Sequence, residues 1–502
     1  MKKGVIALVV AALLFGTGAY LGRGSKQEVT ISSSTAGASY AGGFKAESAS
    51  ATVVRSVAGP APKNVVVVKN GESIQAAIKA APQGTIVRVM PGTYHETVYV
   101  DKDDIRIVGV IEEGRRAVLD GEKKLNDAIL YSGNNFVAEN LEIRNYKGNG
   151  IMGQAGNNFE IRNNVIASSG VYGIFPQLGQ NGIVEHNVVS GIADAAIYIG
   201  MSDNILVAHN EVFDSVAGIE IENSRHAIVE HNYVHDNSGG LLAFVTPGLP
   251  IKTTVDVIFR NNFVVRNNHA NFGAPGSTVS GIPAGTGILV MAADDVVIEG
   301  NVISDNKVSG VIITDHAHAS NITADPESDP NSDRVKLLDN VMLNNGYDTI
   351  KEAKALLLAD GKLNKQNLDI VRVGPSPGSC IINRHQYVTA GIGDFAECEF
   401  TNTAATTNYL LPPVPPRVIE PGERGKVVYL GICSGCHVYN GRMIGPPVQA
   451  IQALYLENPQ GLADYIAHPQ KKRADYPEMP PQDYLDPQTR LAVANYMLKV
   501  TN

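Results

Sequence analysis

The 502-residue chain has no tryptophan and only four cysteines. So few thiols exclude a small disulfide-stapled scaffold. Basic residues number 41 against 50 acidic ones, a net charge of −9 that leaves no basic footprint for nucleic acid. Charged residues are sparse at 18% while hydrophobic ones reach 44%, which excludes a globally disordered chain. The missing tryptophan weakens a sugar-binding reading, although 19 tyrosines can stack on sugar rings instead. Glycine is plentiful. Its 50 copies are spread along the chain and mark many turns between many short strands. The length exceeds that of one ordinary compact domain, so two or three units are expected.

Met1, Lys2 and Lys3 precede an uncharged stretch, GVIALVVAALLFGTGAYLG, at residues 4–22. Residues 1–23 are therefore expected to be a signal peptide or an uncleaved N-terminal membrane anchor. The first cysteine is Cys380, so an N-terminal lipoprotein anchor is excluded. Either way, the remainder of the chain is expected to leave the cytoplasm. Residues 24–62 are rich in Ser, Ala, Gly and Thr and read as a flexible linker.

From residue 63 the texture changes. The segment GESIQAAIKAAPQGTIVRVMPGTYHE places a short amphipathic helix between strand-like runs. Asparagines next to an aliphatic residue then recur at Asn140, Asn164, Asn187, Asn210, Asn232, Asn262, Asn301 and Asn340. Their steps are 24, 23, 23, 22, 30, 39 and 39 residues. A small residue before an aliphatic recurs at Gly150, Gly173, Ala196, Gly218, Gly240, Gly287 and Gly310. In five of those seven cases it lies 14 residues before the next asparagine. The longer steps are thus a fixed coil plus insertions. A period of 22–24 residues with three short β-branched runs is one coil of a parallel β-helix. Equivalent residues then stack about 4.8 Å apart, aliphatic columns fill the interior, and asparagines form an internal amide ladder. Residues 63–345 resemble right-handed parallel β-helices of the pectin-lyase-like type, and the opening segment resembles the helix-capped first coil of that fold. The expected fold is therefore all-β, with three short strands per coil.

Fold does not give function. The insertions fall at 246–254, 269–284 and 315–333, and long loops on a rigid scaffold often carry binding or catalysis. The third holds Asp315, His316 and His318, a candidate for metal binding or acid–base work, or else a polar solvated loop. Asp294 and Asp295 resemble the paired acids of some polysaccharide hydrolases, or simply make a turn. No Lys or Arg beside an acidic cluster marks a pectate-lyase site, and the Asp-Pro-His motif of alginate epimerases is absent. The residue before the ladder asparagine is His186, His209 and His231 in three successive coils, against Glu139, Asn163, Asn261 and Asp339 elsewhere. Such a column can bind a transition metal or sense pH, or can be an ordinary surface column.

Residues 346–420 read as a connector that ends in the stiff LPPVPP. Cys380 and Cys398 lie within it and are expected to form a disulfide in an oxidising compartment. Next come Cys433, Ser434, Gly435, Cys436 and His437, the c-type haem attachment pattern, in which two thiols add to the haem vinyl groups. A zinc site would need more Cys or His nearby. Gly445-Pro446-Pro447, Glu478-Met479-Pro480-Pro481 and a terminal helical run at 491–500 complete an order that resembles small class I cytochromes c, over residues 421–502. The resemblance implies a small all-α domain with one covalently attached haem c per chain. It implies His437 and Met479 as axial ligands and the Pro446 carbonyl behind the His437 ring. His468 is the competing sixth ligand. The cluster Lys471-Lys472-Arg473 is a candidate surface for steering a redox partner, or a solvated face.

The expected protein is an exported haem-binding electron-transfer protein of the periplasm or cell envelope. Its partners are expected to be a redox protein and, through the β-helix, a second periplasmic protein or a polymer. No catalytic residue is evident in the β-helix. Two alternatives stand beside this reading. One is a polysaccharide-acting enzyme with the haem as redox relay. The other is periplasmic copper handling, because the β-helix also resembles proteins that help mature the copper site of nitrous oxide reductase.

Overall fold

The computed structural model describes residues 56–319, 322, 325–362, 367–406, 422–434, 436–440, 445–473, 476 and 479–501. The expected signal or anchor at 1–23, most of the linker at 24–62, and the LPPVPP segment lie outside the described residues. Among the described residues no helix is long and apolar enough to cross a membrane.

Three sheets of 13, 11 and 10 strands run the length of the main domain. Each coil gives one strand to each sheet, and strands pair in parallel with their equivalents one coil away. One coil, for example, supplies Gln180–Glu185 to the first sheet, Ala195–Gly200 to the second and Val188–Ser190 to the third. Side chains alternate in and out along each strand. The alternation fills the interior with aliphatic columns such as Ile197, Ile219, Leu241, Ile288, Val311 and Ile370. All six are fully buried. Burial of such a side chain contributes roughly 1.5–3 kcal/mol, so each coil is stabilised mainly by its neighbours.

The corner between the first and third sheets explains the asparagine period. A residue with positive φ turns the chain: Asn163, His186, His209, His231 and Asn261 all have φ between 53° and 56°. His and Asn tolerate this left-handed conformation better than β-branched residues. The next residue points into the corner. There Asn164, Asn187, Asn210, Asn232, Asn262, Asn301 and Asn340 form an unbroken ladder of amide bonds, each 3.0 Å. Asn140 is not part of it. It occupies the positive-φ position itself (φ 63°), so it, and not Glu139, is the equivalent of His186 in its coil. A second ladder, Asn237, Asn267, Asn306 and Asn345, fills the corner between the third and second sheets.

The open first coil is closed by α1 (Ile74–Ala80), with Ser73 Oγ accepting from the Ala76 N–H at 3.0 Å. Its Ile74 and Ile78 pack into the core. Residues 56–58 are docked: the Glu160 carboxylate accepts from Ser56 Oγ and from the N–H groups of Val57 and Ala58 at 2.6–2.9 Å. At the other end the stack runs past residue 345. Strands Ile370–Arg372, Cys380–Ile381, Thr389–Ala390 and Ala396–Glu397 continue the first and second sheets through the segment read from sequence as a connector. The insertions between these last strands hide the period. Cys380 and Cys398 are joined by a disulfide across this terminal coil. Closing a loop of this length contributes about 3 kcal/mol in the chain-entropy account.

The outward column of the second sheet is apolar and yet covered. Leu130, Met152, Phe175, Tyr198, Leu242, Leu289 and Ile312 are all buried. Val279 and Ile282 of the second insertion, Ala319 and Ile322 of the third, and Ala353 and Leu357 of α2 (Lys351–Ala359) join this cluster. Tyr484 of the C-terminal domain joins it as well.

The C-terminal domain is a small bundle: α3 (Arg424–Val428), α4 (Val448–Leu454), α5 (Pro459–Ala467) and α6 (Pro487–Met497). Asn458 and Asp486 cap α5 and α6 through bonds to the N–H groups of Gly461 and Thr489, with proline at the first helical position in each. α3 crosses α6 so closely that a Cβ at Gly425 would lie 2.2 Å from the Ala492 carbonyl oxygen. Val428, Leu462, Ile466, Val493 and Met497 form the core. The bundle rests on the β-helix through an Arg424–Asp101 ion pair at 3.0 Å and a tilted Tyr99–Tyr484 contact at 5.9 Å.

Candidate functional site

Tyr429–Cys433 is a wide helical turn continuing from α3, and it carries the first thiol. The His437 N–H donates to the Cys433 carbonyl at 2.9 Å, which folds Cys433, Cys436 and His437 onto one turn. Both cysteines are free. Burial pushes the Cys433 thiol up to about 12 and the Cys436 thiol up to about 11, so both are protonated at neutral pH. His437 Nδ1 bonds the Pro446 carbonyl oxygen at 2.8 Å, and burial lowers the imidazole, keeping it neutral with Nε2 available. A Cβ at Gly445 would stand 2.3–2.9 Å from three atoms of that ring. Only glycine allows the ring this position. Met479 is half-buried and packs on the core of the bundle, whereas His468 is exposed at the end of α5. Two thiols, a neutral imidazole fixed from behind and a thioether on the same small core are a donor set that fits covalent haem.

A family model for cytochrome c matches residues 422–501. The C-terminal domain is a cytochrome c. It therefore implies covalently bound haem c and an extracytoplasmic location. A family model for the right-handed β-helix region matches residues 125–251 of the main domain. No curated protein sequence matches the chain. Among solved structures, the A-module of a mannuronan C-5 epimerase (AlgE6) from Azotobacter vinelandii is 15% identical. It covers 64% of this chain and 86% of its own, with a TM-score of 0.41. An alginate lyase from Paenibacillus sp. is 13% identical over 56% of this chain and 95% of its own, TM-score 0.43. A DFA-IIIase from Arthrobacter chlorophenolicus is 14% identical over 64% and 94%, TM-score 0.39. Likeness at this level carries no functional weight.

The cytochrome sets its attachment turn against the second sheet. The turn approaches strand Ile151–Gln154 to within 8 Å between Cα atoms. Cys436 and Tyr484 both feel the buried Asp127 carboxylate. Tyr172, just before strand Ile174–Gln177, feels Cys436.

The β-helix candidates from sequence resolve into structural roles. His186, His209 and His231 do stack, with ring centroids 4.9 and 5.2 Å apart and planes within 6°. Face-to-face rings point their in-plane lone pairs side by side, so they do not converge on one ion. Asp315 Oδ1 accepts from the N–H and Nδ1 of His318, and His316 Nε2 bonds the Val245 carbonyl oxygen, which makes a turn and an anchor. Arg334 bridges Asp294 and Asp295 at 2.9–3.2 Å. Asp294, Asp329 and Asp333 alone, among the described residues, bring three ligand atoms within metal-binding reach, with Arg334 already paired to Asp294. Lys472 lies over the Tyr455 and Tyr465 rings and Arg473 over Tyr476, so this patch is held at the surface by tyrosines.

Sequence reasoning missed a different group. Asp194, Glu220 and Glu222 lie on the covered face of the second sheet, with Tyr172, Phe175 and Tyr198 beside them. Tyr198 Oη donates to Glu222. Burial and the neighbouring Glu222 push Asp194 up to about 8. Burial raises Glu220 well above the usual carboxylate range, with Glu222 and Asp194 adding to it, and burial raises Glu222. The signal was present in AGIEIE at Ala217–Glu222, where the outward positions are acidic in an otherwise apolar column.

Proposed function

We propose that this is a periplasmic monohaem electron-transfer protein in which the β-helix seats the haem-bearing domain. Cys433 and Cys436 would hold the single haem by thioethers, His437 and Met479 would ligate its iron, and the Pro446 carbonyl orients the His437 ring. Bound haem c supplies a one-electron Fe(III)/Fe(II) couple. The neutral His437 ring offers Nε2 in a fixed plane, because Nδ1 is engaged behind it and Gly445 leaves it room. The Met479 thioether favours the ferrous state, and the exposure of His468 argues against it as the alternative ligand. The observation that carries the reading is the pairing of two free thiols with the His437–Pro446 bond on one turn.

The test is direct. Replacing both Cys433 and Cys436 by Ala should abolish haem that survives denaturing electrophoresis. Met479→Ala should lose the weak far-red band of ferric–thioether ligation and lower the midpoint potential. An unchanged potential would sink the ligand assignment. A polysaccharide-acting enzyme with the haem as relay is the second reading, supported by the acids and aromatic rings beside the attachment turn. Absence of polymer binding and of depolymerisation would remove it. For copper handling the stacked histidines offer no converging ligand set, and unchanged copper retention after replacing His186, His209 and His231 would close that reading.

A further inference from the structure

Glu220 and Glu222 leave the second sheet on its covered face, on a strand that pairs with Ala195–Gly200. They are 3% and 6% exposed. Asp194 immediately precedes that neighbouring strand and keeps partial exposure. Buried carboxyl groups are ordinarily paired with a cation. Here the titratable and polar groups that face them are one another, Tyr172, and the Tyr198 and Thr246 hydroxyls. Among the described residues no Lys, Arg or His pairs with any of the three. Each negative charge therefore opposes the next, and the cluster keeps protons at neutral pH. Burial and Glu222 push Asp194 up to about 8.

The cluster shares its face with the attachment turn. That turn approaches strand Ile151–Gln154, whose outward Met152 is followed, coil by coil, by Phe175, Tyr198 and Glu220. Three coils put Glu220 about 14 Å along the stack from Met152. The side chains between are buried, and they touch: Phe175 and Tyr198 stack at 4.3 Å, and Tyr172 tilts against both at 4.7 Å. Tyr198 Oη donates to Glu222. Tyr172 feels all three acids and Cys436 as well. A charge that changes at the attachment turn is therefore poorly screened at the acids. At about 15–20 Å and an effective permittivity near 20, one unit charge changes a carboxyl's acid constant about fivefold. We propose that the Asp194–Glu220–Glu222 cluster takes up a proton when the cytochrome is reduced, which couples electron transfer to proton transfer. This rests on the haem reading above. One electron enters from the partner reductant, one proton passes from water to a carboxylate oxygen, and no bond between heavy atoms changes. Asp194, the partly exposed member, is the point of entry. The sign follows from charge: with one positive charge fewer at the haem, the acids hold a proton more tightly.

The test is potentiometric titration of the full-length, haem-loaded protein against pH, with redox-difference infrared spectra of the same samples. The midpoint potential should fall as pH rises through about 8 and be level on either side. The fivefold change converts to about 40 mV in total, at 59 mV per tenfold. Reduction should add a protonated-carboxyl C=O stretch in that pH range. Asp194→Asn should flatten the curve and remove the new band. Glu222→Gln takes away the charge that raises Asp194, so it should move the fall to lower pH, which a loss of packing alone does not do. A reversible couple whose potential ignores pH would overturn the proposal and leave the haem reading standing. So would a fall unmoved in both variants, or one abolished instead by Asp127→Asn, the buried acid that Cys436 feels. Absence of any reversible one-electron couple would overturn the proposal and the haem reading together.

Discussion

Asp194 offers a prediction whose sign is unusual for a carboxylate. In the unfolded chain an aspartate ionises near 3.9. In the fold, burial and Glu222 hold its proton up to about 8. The native state therefore binds more protons than the unfolded state between these limits. Stability from this group is fully present below about pH 4 and is lost as pH rises through about 8. At pH 7, folding must take up a proton, which costs about 4 kcal/mol at roughly 1.4 kcal/mol per pH unit. Glu222 shares in the effect, so about 2–4 kcal/mol is expected. Asp194→Asn keeps the shape and removes the proton uptake. The variant should be more stable than the parent at pH 7 by that amount, and the advantage should vanish at pH 4. Urea unfolding across this range is the assay, with far-UV dichroism for the β-helix and Soret absorbance for the cytochrome, since the two need not unfold together. A parent and variant whose midpoints differ equally at pH 4 and pH 7 would refute the reasoning.

Three further outcomes follow from the same geometry. Asn210→Ala removes bonds from Nδ2 to Asn232 Oδ1 and the Val184 carbonyl, and takes the acceptor from the Asn187 N–H and amide, so about 3 kcal/mol should be lost on urea unfolding. For His209, burial and then His186 and His231 lower the imidazole against the opposing pull of Glu185 and Glu230. Its neutral form is favoured in the fold, so stability falls as pH drops below the ordinary histidine range. His209→Asn, which suits the same positive φ, should flatten that acid limb of a pH–melting curve. Gly445→Ala should lose His437 ligation, because the added Cβ would meet the ring at 2.3 Å, and the Soret band of the purified protein reads this out.

How far the sequence could be read depended on whether a residue's role repeats. Asn164 through Asn340 do one job in successive coils, so a spacing exposes them. The same job done by Asn237, Asn267, Asn306 and Asn345 was overlooked because Ser215 fills that corner one coil earlier and breaks the run. The attachment turn was legible for another reason. Its chemistry needs two thiols and an imidazole at fixed separation, a demand that few other sites make. The last coils were read as a connector because insertions between strands erase the period, although Ile370 and Ile381 still pack inward. Glu220 and Glu222 escaped notice because alternation alone makes them solvent-facing. What reverses that inference is a lid from the distant chain.

That lid gives the architecture its sense. An outer face carrying Leu130, Met152, Phe175, Leu242, Leu289 and Ile312 cannot stay open without inviting aggregation, so both the insertions and the cytochrome are needed as cover. Apolar cover needs only apolar partners. Among these apolar positions the face instead holds Gln177, Glu220 and Glu222, whose burial opposes folding. A leucine at any of these positions would serve the covering role better. Acids and an amide kept beneath the cover, beside the turn that bears Cys433 and Cys436, therefore make this the part of the covered face where burial costs the fold most.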